Sequence, residues 1–221
     1  MIFADRSDAG RRLADVLSEL GELGHAIVLG IPRGGVAVAA EIARALHLPL
    51  DVFLARKLGV PGHEELAFGA VAASGARYLD PRMVRRARLN EAQIESITAE
   101  ALHLLMHRAG LYRASRPPLA VAGRTAILVD DGIATGASLF AAIQAMRQLR
   151  PARIIAAIPV VPAQAASWLR GHVDQFVCLQ IPEHFQAVGQ FYAAFPQLSD
   201  EDVVRLLGAV QDSGGQSSGV R

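Results

Sequence analysis

The 221-residue chain is poor in lysine, in cysteine and in long hydrophobic runs. Its only cysteine, Cys178, has no partner for an intramolecular disulfide, which suits a reducing cytoplasm. No apolar run approaches the length of a membrane-spanning helix, and the N-terminus lacks the basic and apolar segments of a secretory signal. We therefore expect a cytoplasmic protein without a membrane partner.

The chain also lacks an excess of either charge, because its 22 basic residues are matched by 21 acidic residues. A formal net charge of +1 produces no global field that would attract nucleic acid. Arginines cluster within residues 82–88, but no aromatic side chains are interleaved with them, which favours a solvated or partner-facing surface. We expect no nucleic-acid partner, and any anion-binding site must be local.

Apolar residues make up 52% of the chain, which is enough to bury the core of one α/β domain. We assign that single domain to residues 1–210. Residues 211–221 are rich in glycine, serine and glutamine, and they have too little apolar surface to offset the entropy of ordering. This tail is predicted to be disordered.

Short apolar runs alternate with helix-forming stretches along most of the chain. This alternation is typical of an α/β fold with a central, mainly parallel sheet and helices on both faces. Ligands of such folds bind beyond the carboxyl ends of the strands. A hairpin near a sheet edge is predicted from LAFGAVAAS and ARYLD, and the clearest predicted strands are HAIVLGI, LDVFLAR, TAILV, RIIAAIPV and QFVCLQI.

One long helical stretch interrupts this alternation. From Asn90 onward, apolar residues such as Ile94 and Ile97 recur on one helical face, with Asn90 suited to cap the helix. The stretch runs to Arg113, and Gly110 together with the pair Pro117 and Pro118 is predicted to end it. We interpret about 81–116 as a helical insertion in the α/β domain.

The most informative motif is ILVDDGIATGAS, residues 127–138. An apolar strand delivers two adjacent carboxylates, Asp130 and Asp131, and small and hydroxyl residues follow at the start of a predicted helix. Backbone N–H groups of small residues and the positive end of a helix dipole can bind a phosphate. The two carboxylates would repel a bare phosphate, but they can accept hydrogen bonds from the hydroxyls of an attached ribose. The motif therefore predicts a site for a phosphorylated sugar.

Three other interpretations explain the motif less well. Neither GxxxxGK[ST] nor GxGxxG occurs in the loop, which disfavours a nucleoside triphosphatase and a dinucleotide-binding fold. An ordinary polar turn between strand and helix would leave the two carboxylates without a purpose.

The motif resembles the phosphoribosyl-pyrophosphate signature of type I phosphoribosyltransferases, and residues 2–208 resemble a bacterial branch of that superfamily. The resemblance implies that Asp130 and Asp131 act catalytically by holding the ribose hydroxyls, and that together with Glu183 they lie near a Mg²⁺ ion. The 5′-phosphate would be bound by Ala134, Thr135, Gly136, Ala137 and Ser138.

Other stretches resemble further parts of these enzymes. LGIPRGGV resembles the pyrophosphate loop, which implies Arg33, Gly34 and Gly35 as pyrophosphate contacts and a non-proline cis peptide. Arg56 and Lys57 resemble the pair that opens a mobile loop, here residues 58–65. Because lysine is a compact charge on a flexible stem, Lys57 could follow a departing phosphate as a catalytic residue. The alternative is that one lysine persists by chance in a chain that otherwise uses arginine.

A C-terminal stretch resembles the hood that covers the nucleobase, here about 174–208. This implies that Phe176 stacks on a base and that Val177 offers backbone groups to it. By its position alone, Phe176 fits equally well as a core aromatic on a buried strand.

Taken together, the resemblance implies a homodimeric glycosyltransferase. It would use Mg²⁺ to transfer a phosphoribosyl group from phosphoribosyl pyrophosphate to a nitrogenous base, releasing pyrophosphate. The identity of the base stays open, and nucleoside monophosphates are expected ligands. The alternative is a non-catalytic, nucleotide-sensing regulator with the same fold, because fold does not fix function.

Overall fold

The computed structural model describes residues 2–21, 23–113, 117–134 and 136–214, of which 211–214 are described by their backbone alone. The strands are β1 (Ile27–Gly30), β2 (Leu50–Val52), β3 (Ala55–Val60), β4 (His63–Ala72), β5 (Arg77–Leu79), β6 (Thr125–Val129), β7 (Arg153–Val160) and β8 (Gln175–Gln180). The α-helices are α1 (Arg6–Ser18), α2 (Gly34–Leu46), α3 (Pro81–Arg86), α4 (Glu91–Arg113), α5 (Ala137–Gln148), α6 (Ala163–Arg170) and α7 (Asp200–Gly214).

The main sheet has five parallel strands in the order β2-β1-β6-β7-β8, and helices cover both of its faces. Successive residues of its strands point to opposite faces. Ile127 and Ile155 pack with residues of α1, α2 and α7, whereas Leu128 and Ala156 pack with residues of α5 and α6. The predicted α/β class, with a parallel sheet between helical layers, is confirmed.

A second sheet is antiparallel and has the order β3-β4-β5. The predicted hairpin corresponds to β4 and β5, but it belongs to this second sheet and not to an edge of the main sheet. The single strand predicted from LDVFLAR is wrong, because β2 ends at Val52 in the main sheet and β3 begins at Ala55 in the second. Residues 58–65, predicted as a loop, are mostly strand and pair across a tight turn at Gly62, whose φ of 76° suits glycine.

The predicted helical insertion corresponds to α3 and α4. Asn90 caps α4, since its Oδ1 accepts a hydrogen bond from the Gln93 backbone N–H at 2.9 Å, and the Gln93 side chain accepts one from the Asn90 N–H at 3.0 Å. Helix α4 ends at Arg113, the last residue of the predicted helical stretch, and Gly110 lies within its final turn. None of the described helices is long and apolar enough to cross a bilayer.

The chain leaves the main sheet after β8 and runs through residues 181–199, with a 3₁₀ turn at Val188–Phe191, before α7 begins. This 181–199 segment pairs with the N-terminus, where the Phe3 backbone N–H donates to the Phe191 carbonyl at 2.8 Å. Helix α7 extends to Gly214, four residues into the predicted disordered tail, and the rest of that tail lies outside the described residues. The division of the chain into domains stays a prediction.

Candidate active site

The two glycine-bearing loops meet at one end of the main sheet. They follow β1 and β6, which are neighbours paired at Gly30 and Val129. The chain turns outward in opposite directions from these strands, because β1 is followed in the sheet by β2 on one side and β6 by β7 on the other. Such a switch point leaves a crevice beyond the strand ends, where ligands of α/β proteins bind.

The two carboxylates of the second loop pack directly on the two glycines of the first. A Cβ added to Gly34 would overlap the Asp131 carboxylate. A Cβ on Gly35 would lie 2.5 Å from the Val129 carbonyl oxygen and 2.8 Å from the Asp130 Cα. Glycine is required at both positions because the backbone of one loop touches the acidic residues of the other.

The two acids differ in their electrostatic surroundings. Burial and the neighbouring Asp131 charge raise the pKa of Asp130 well above its ordinary value of 3.8. Asp130 Oδ1 accepts a hydrogen bond from the Asp131 backbone N–H at 2.9 Å. The Asp131 carboxylate instead forms an ion pair with the Arg6 guanidinium, Nε to Oδ2 at 2.7 Å. One acid is therefore inclined to hold its proton, and the other is a paired carboxylate.

The predicted phosphate cradle lies at the start of α5. Gly136 is the N-cap, with a left-handed φ of 79°, and Ala137 and Ser138 form the exposed first turn. The first N–H groups of a helix have no partners within it, so they are available as donors at the exposed start of α5. Ala134 is exposed beside them. Thr135 lies outside the described residues.

Arg33 stands at the start of α2, and the peptide bond between Pro32 and Arg33 is cis, as the resemblance implied. Its side chain is 37% exposed and turns toward α7, where Nη1 lies 3.8 Å from Asp200 Oδ1. Asp200 also accepts a hydrogen bond from the buried Tyr112 hydroxyl at 2.6 Å. Arg33 is thus near the crevice and carries a weak, partly exposed ion pair.

The structure separates Arg56 from Lys57. They are successive residues of β3, so their side chains point to opposite faces of the hairpin. Arg56 lines a groove against α4 together with Ile97 and Leu104, whereas Lys57 also lines the cleft beside the cradle. Lys57 Nζ forms an ion pair with Glu65 Oε2 at 3.0 Å. Only the lysine of the predicted pair is brought toward the cradle.

Phe176 and Val177 lie on β8. Phe176 packs into the apolar layer beneath α5 and α6, with the Arg170 guanidinium 5.7 Å from its ring centroid. Val177 is 5% exposed and packs into the layer on the opposite face of the sheet. Across the described part of the chain, neither residue is among those that line the cleft beside the cradle. Their predicted role in holding a base receives no support from this placement.

A cleft of about 720 Å³ opens beside the cradle, and no motif in the sequence indicates it directly. Ala134, Gly136 and Ala137 form the wall that it shares with the cradle. Its aromatic walls come from three separate elements and are Phe140, Trp168 and Phe185. Gln164 and Gln186 add amide groups. Phe185 follows β8 by five residues and lies in the stretch predicted as the hood.

The three predicted magnesium ligands do not form a metal site. Glu183 is exposed in the 181–199 segment, and Asp131 is ion-paired with Arg6. Within the described ranges, no group of three or more histidine, cysteine, aspartate or glutamate side chains is arranged to hold a metal ion. Because Asp131 already pairs with the Arg6 guanidinium, direct coordination of a metal ion by this acid fits poorly. The use of Mg²⁺ stays a prediction.

Residues 4–196 match the family model of the phosphoribosyl transferase domain. The chain belongs to the phosphoribosyl transferase family. The predicted family resemblance is thereby confirmed, and the candidate site coincides with the loops that carried it.

Relatives of this phosphoribosyl transferase domain support the same assignment. Proteins of two Mycobacterium tuberculosis strains, each provisionally named a phosphoribosyl transferase, are 45% identical to it over 207 residues. The match covers 93% of this chain and 46% of each relative, so the chain spans about half the length of those proteins. The crystal structure of TT1426 from Thermus thermophilus is 43% identical and has a TM-score of 0.87, covering 94% of this chain and 98% of that one.

Proposed function

We propose that this domain transfers a ribose 5-phosphate group from phosphoribosyl pyrophosphate to a neutral, planar nitrogenous acceptor. The observation that carries the proposal is the contact between the two loops at the switch point. The carboxylates of Asp130 and Asp131 lie against Gly34 and Gly35, and the N-terminus of α5 is a few residues away. Hydroxyl acceptors, a phosphate site and a second anion loop are thus grouped at one end of the sheet.

The first task of the site is to hold the sugar phosphate. The N–H groups at Gly136, Ala137 and Ser138 would bind the 5′-phosphate with the help of the helix dipole. Asp130 and Asp131 would accept hydrogen bonds from the ribose hydroxyls. Held at both ends, the sugar presents its C1 carbon toward the crevice in a fixed orientation, which lowers the entropic part of the barrier.

The second task is to stabilise the leaving pyrophosphate. The acceptor nitrogen forms a bond to C1 while the bond from C1 to the pyrophosphate oxygen breaks, and the electron pair departs with pyrophosphate. The proton displaced from the acceptor nitrogen goes to solvent. Arg33 and the N–H groups at the start of α2 would bind the departing charge. Lys57 would follow it, since its ion pair with the 98% exposed Glu65 is worth only about 0 to 1 kcal/mol.

The cleft beside the cradle favours an uncharged acceptor. Phe140, Trp168 and Phe185 offer flat apolar surfaces for stacking, and Gln164 and Gln186 offer amide hydrogen bonds. The only charged residues among its described walls, Lys57 and Glu65, neutralise each other. A carboxylated base would lose its hydration there without gaining a matching cation, which is costly.

The proposal gives the chain's own residues no direct bond to magnesium, because the predicted ligands do not assemble. A divalent ion, if the reaction needs one, would enter with the pyrophosphate group. The test is therefore run both with Mg²⁺ and with a chelator.

Pyrophosphate release from phosphoribosyl pyrophosphate tests the function directly. We expect release with at least one neutral base from a panel of adenine, hypoxanthine and uracil, and none with the anionic bases orotate and quinolinate. Release only with the carboxylated bases would contradict the acceptor class. Tight binding of phosphoribosyl pyrophosphate without turnover on any of a wide range of bases would instead favour the nucleotide-sensing regulator.

A further inference from the structure

Arg6, the first residue of α1, is a buried cation that pairs with an acid of the candidate site. It is 8% exposed. Its Nε donates to Asp131 Oδ2 at 2.7 Å, and its Nη1 donates to the Pro196 carbonyl at 2.8 Å. The guanidinium carbon lies 3.8 Å from the centroid of the Phe195 ring. Two hydrogen bonds and a stacked ring therefore hold the planar guanidinium of Arg6 in a single orientation.

Asp131 is fixed by these contacts from several sides. Its backbone carbonyl accepts a hydrogen bond from the Tyr192 hydroxyl at 2.5 Å, and its carboxylate rests on the Gly34 backbone. Its side chain is 15% exposed. Arg6 engages Oδ2, and the neighbouring Asp130 side chain also interacts with the Asp131 carboxylate. The remaining exposed part of Asp131 is available to a group that donates one hydrogen bond.

The sequence separates these groups widely. Arg6 and Asp131 are 125 residues apart, and Tyr192 and Phe195 come from the 181–199 segment, which pairs with the N-terminus through Phe3. Three distant parts of the chain therefore converge on one carboxylate. A simple ion pair between Arg6 and Asp131 would not need the Tyr192 hydroxyl bonded to the Asp131 carbonyl or the Phe195 ring stacked on the Arg6 guanidinium.

We propose that Arg6 is a positioning residue that dedicates Asp131 to recognising a ribose hydroxyl. This inference rests on the proposed function. The guanidinium fixes the orientation of the carboxylate through its charge-assisted bond to Oδ2, so that the exposed part of the group faces the ligand as an aimed hydrogen-bond acceptor. It also offsets the negative charge, which makes Asp131 a weak ligand for a metal ion. Arg6 acts through Asp131 and does not itself contact the sugar.

Discrimination between ribose and deoxyribose tests this role, because a general loss of stability would not change it. Calorimetry would compare ribose 5-phosphate with its 2-deoxy and 3-deoxy forms. Wild type should prefer ribose 5-phosphate to at least one deoxy form by about 10-fold or more, the worth of a hydrogen bond to a charged acceptor. In Arg6→Gln this ratio should fall toward 1, while the affinity for the disfavoured deoxy form should change less than about two-fold.

Two further variants make the result decisive. Arg12→Gln removes the same charge from the same helix, at a side chain that is 40% exposed and pairs with Asp8, so it should keep the wild-type ratio. Arg6→Lys keeps the buried charge, and thus the fold, but lacks the planar fork, so its ratio should be lower than that of wild type. Thermal denaturation would establish that each variant is folded.

The outcomes separate the inference from the function on which it rests. If wild type discriminates, and Arg6→Lys or a folded Arg6→Gln discriminates equally well, the role of Arg6 is refuted and the proposed function stands. If wild type binds none of the three sugar phosphates at millimolar concentration, the proposed function fails and the role of Arg6 fails with it.

Discussion

The Asp131 carboxylate occupies the space that a side chain on Gly34 would need. These residues belong to different loops, one after β1 and one after β6, and each loop alone contains only part of a ligand site. Their contact brings the proposed ribose acceptors, Asp130 and Asp131, against the backbone of the proposed pyrophosphate loop. The arrangement of the candidate site therefore requires glycine at position 34, because any Cβ there would overlap the Asp131 carboxylate.

Gly34→Ala should abolish binding of phosphoribosyl pyrophosphate, because the new Cβ would displace the Asp131 carboxylate. A shift of about 1 Å in a positioned group costs about 100-fold in rate, and a larger loss is expected here. Gly208→Ala on α7 is the matched control, since a Cβ there meets nothing within 4 Å. It should stabilise the fold by up to about 1 kcal/mol and leave binding unchanged. Equal binding by the two variants would contradict the contact.

Asp130→Asn should raise the melting temperature at neutral pH. Burial raises the pKa of Asp130, so the folded chain keeps a proton that the unfolded chain releases above about 3.8. The folded state therefore binds more protons, and its stability falls as pH rises from the ordinary carboxyl range through the raised pKa. The asparagine variant lacks this loss. Melting curves from pH 4 to pH 8 should converge at low pH and separate at high pH, and curves that stay parallel would show that Asp130 is ionised at little cost.

Lys57→Ala should slow turnover, because the loss of one electrostatic donor usually removes about 2 to 4 kcal/mol of transition-state stabilisation. Lys57→Arg should recover only part of this loss, because arginine is a rigid fork rather than a mobile point charge. Glu65→Gln removes the partner of Lys57 but leaves the lysine in place, and it should change stability by less than about 1 kcal/mol. Steady-state kinetics on the accepted base would measure the turnover of the three variants, and thermal denaturation would measure the stability of Glu65→Gln. An arginine variant as fast as wild type would show that the lone lysine is an accident of composition.

Cys178 should resist alkylation in the folded protein. Burial raises the pKa of its thiol to about 11, compared with an ordinary 9.0. Only the thiolate reacts, so labelling by iodoacetamide at pH 8 should be about 100-fold slower than in the urea-unfolded chain. Mass spectrometry of labelled samples would follow the rate. Labelling at equal rates in both states would mean that the thiol is not enclosed on β8.

The main sheet could be predicted closely from the sequence. The predicted strands TAILV and RIIAAIPV coincide with β6 and β7, because strands buried on both faces are continuous apolar runs with polar residues at their ends. The β3–β4 hairpin resembles a loop in sequence for the opposite reason. Its outer half carries exposed residues from His63 to Leu66, which have no apolar alternation to mark a strand.

The candidate site was predictable only where it is local in sequence. The acids and the cradle follow one strand within a few residues, so the motif alone located them. The cleft could not be found in this way, because Phe140, Trp168 and Phe185 come together only after α5, α6 and the 181–199 segment have packed. Phe176 is a reasonable candidate for the base by sequence, but the pleat of β8 turns it into the core beneath α6.

Calorimetric titration of phosphoribosyl pyrophosphate into wild type and Asp130→Ala tests the central claim most directly. The account predicts saturable binding to wild type below millimolar concentration. It predicts at least about 10-fold weaker binding to the alanine variant, because that variant has lost both side-chain oxygens that would accept from the ribose. No binding to wild type at millimolar concentration, or equal binding to both proteins, would contradict the assignment of this site to a ribose phosphate.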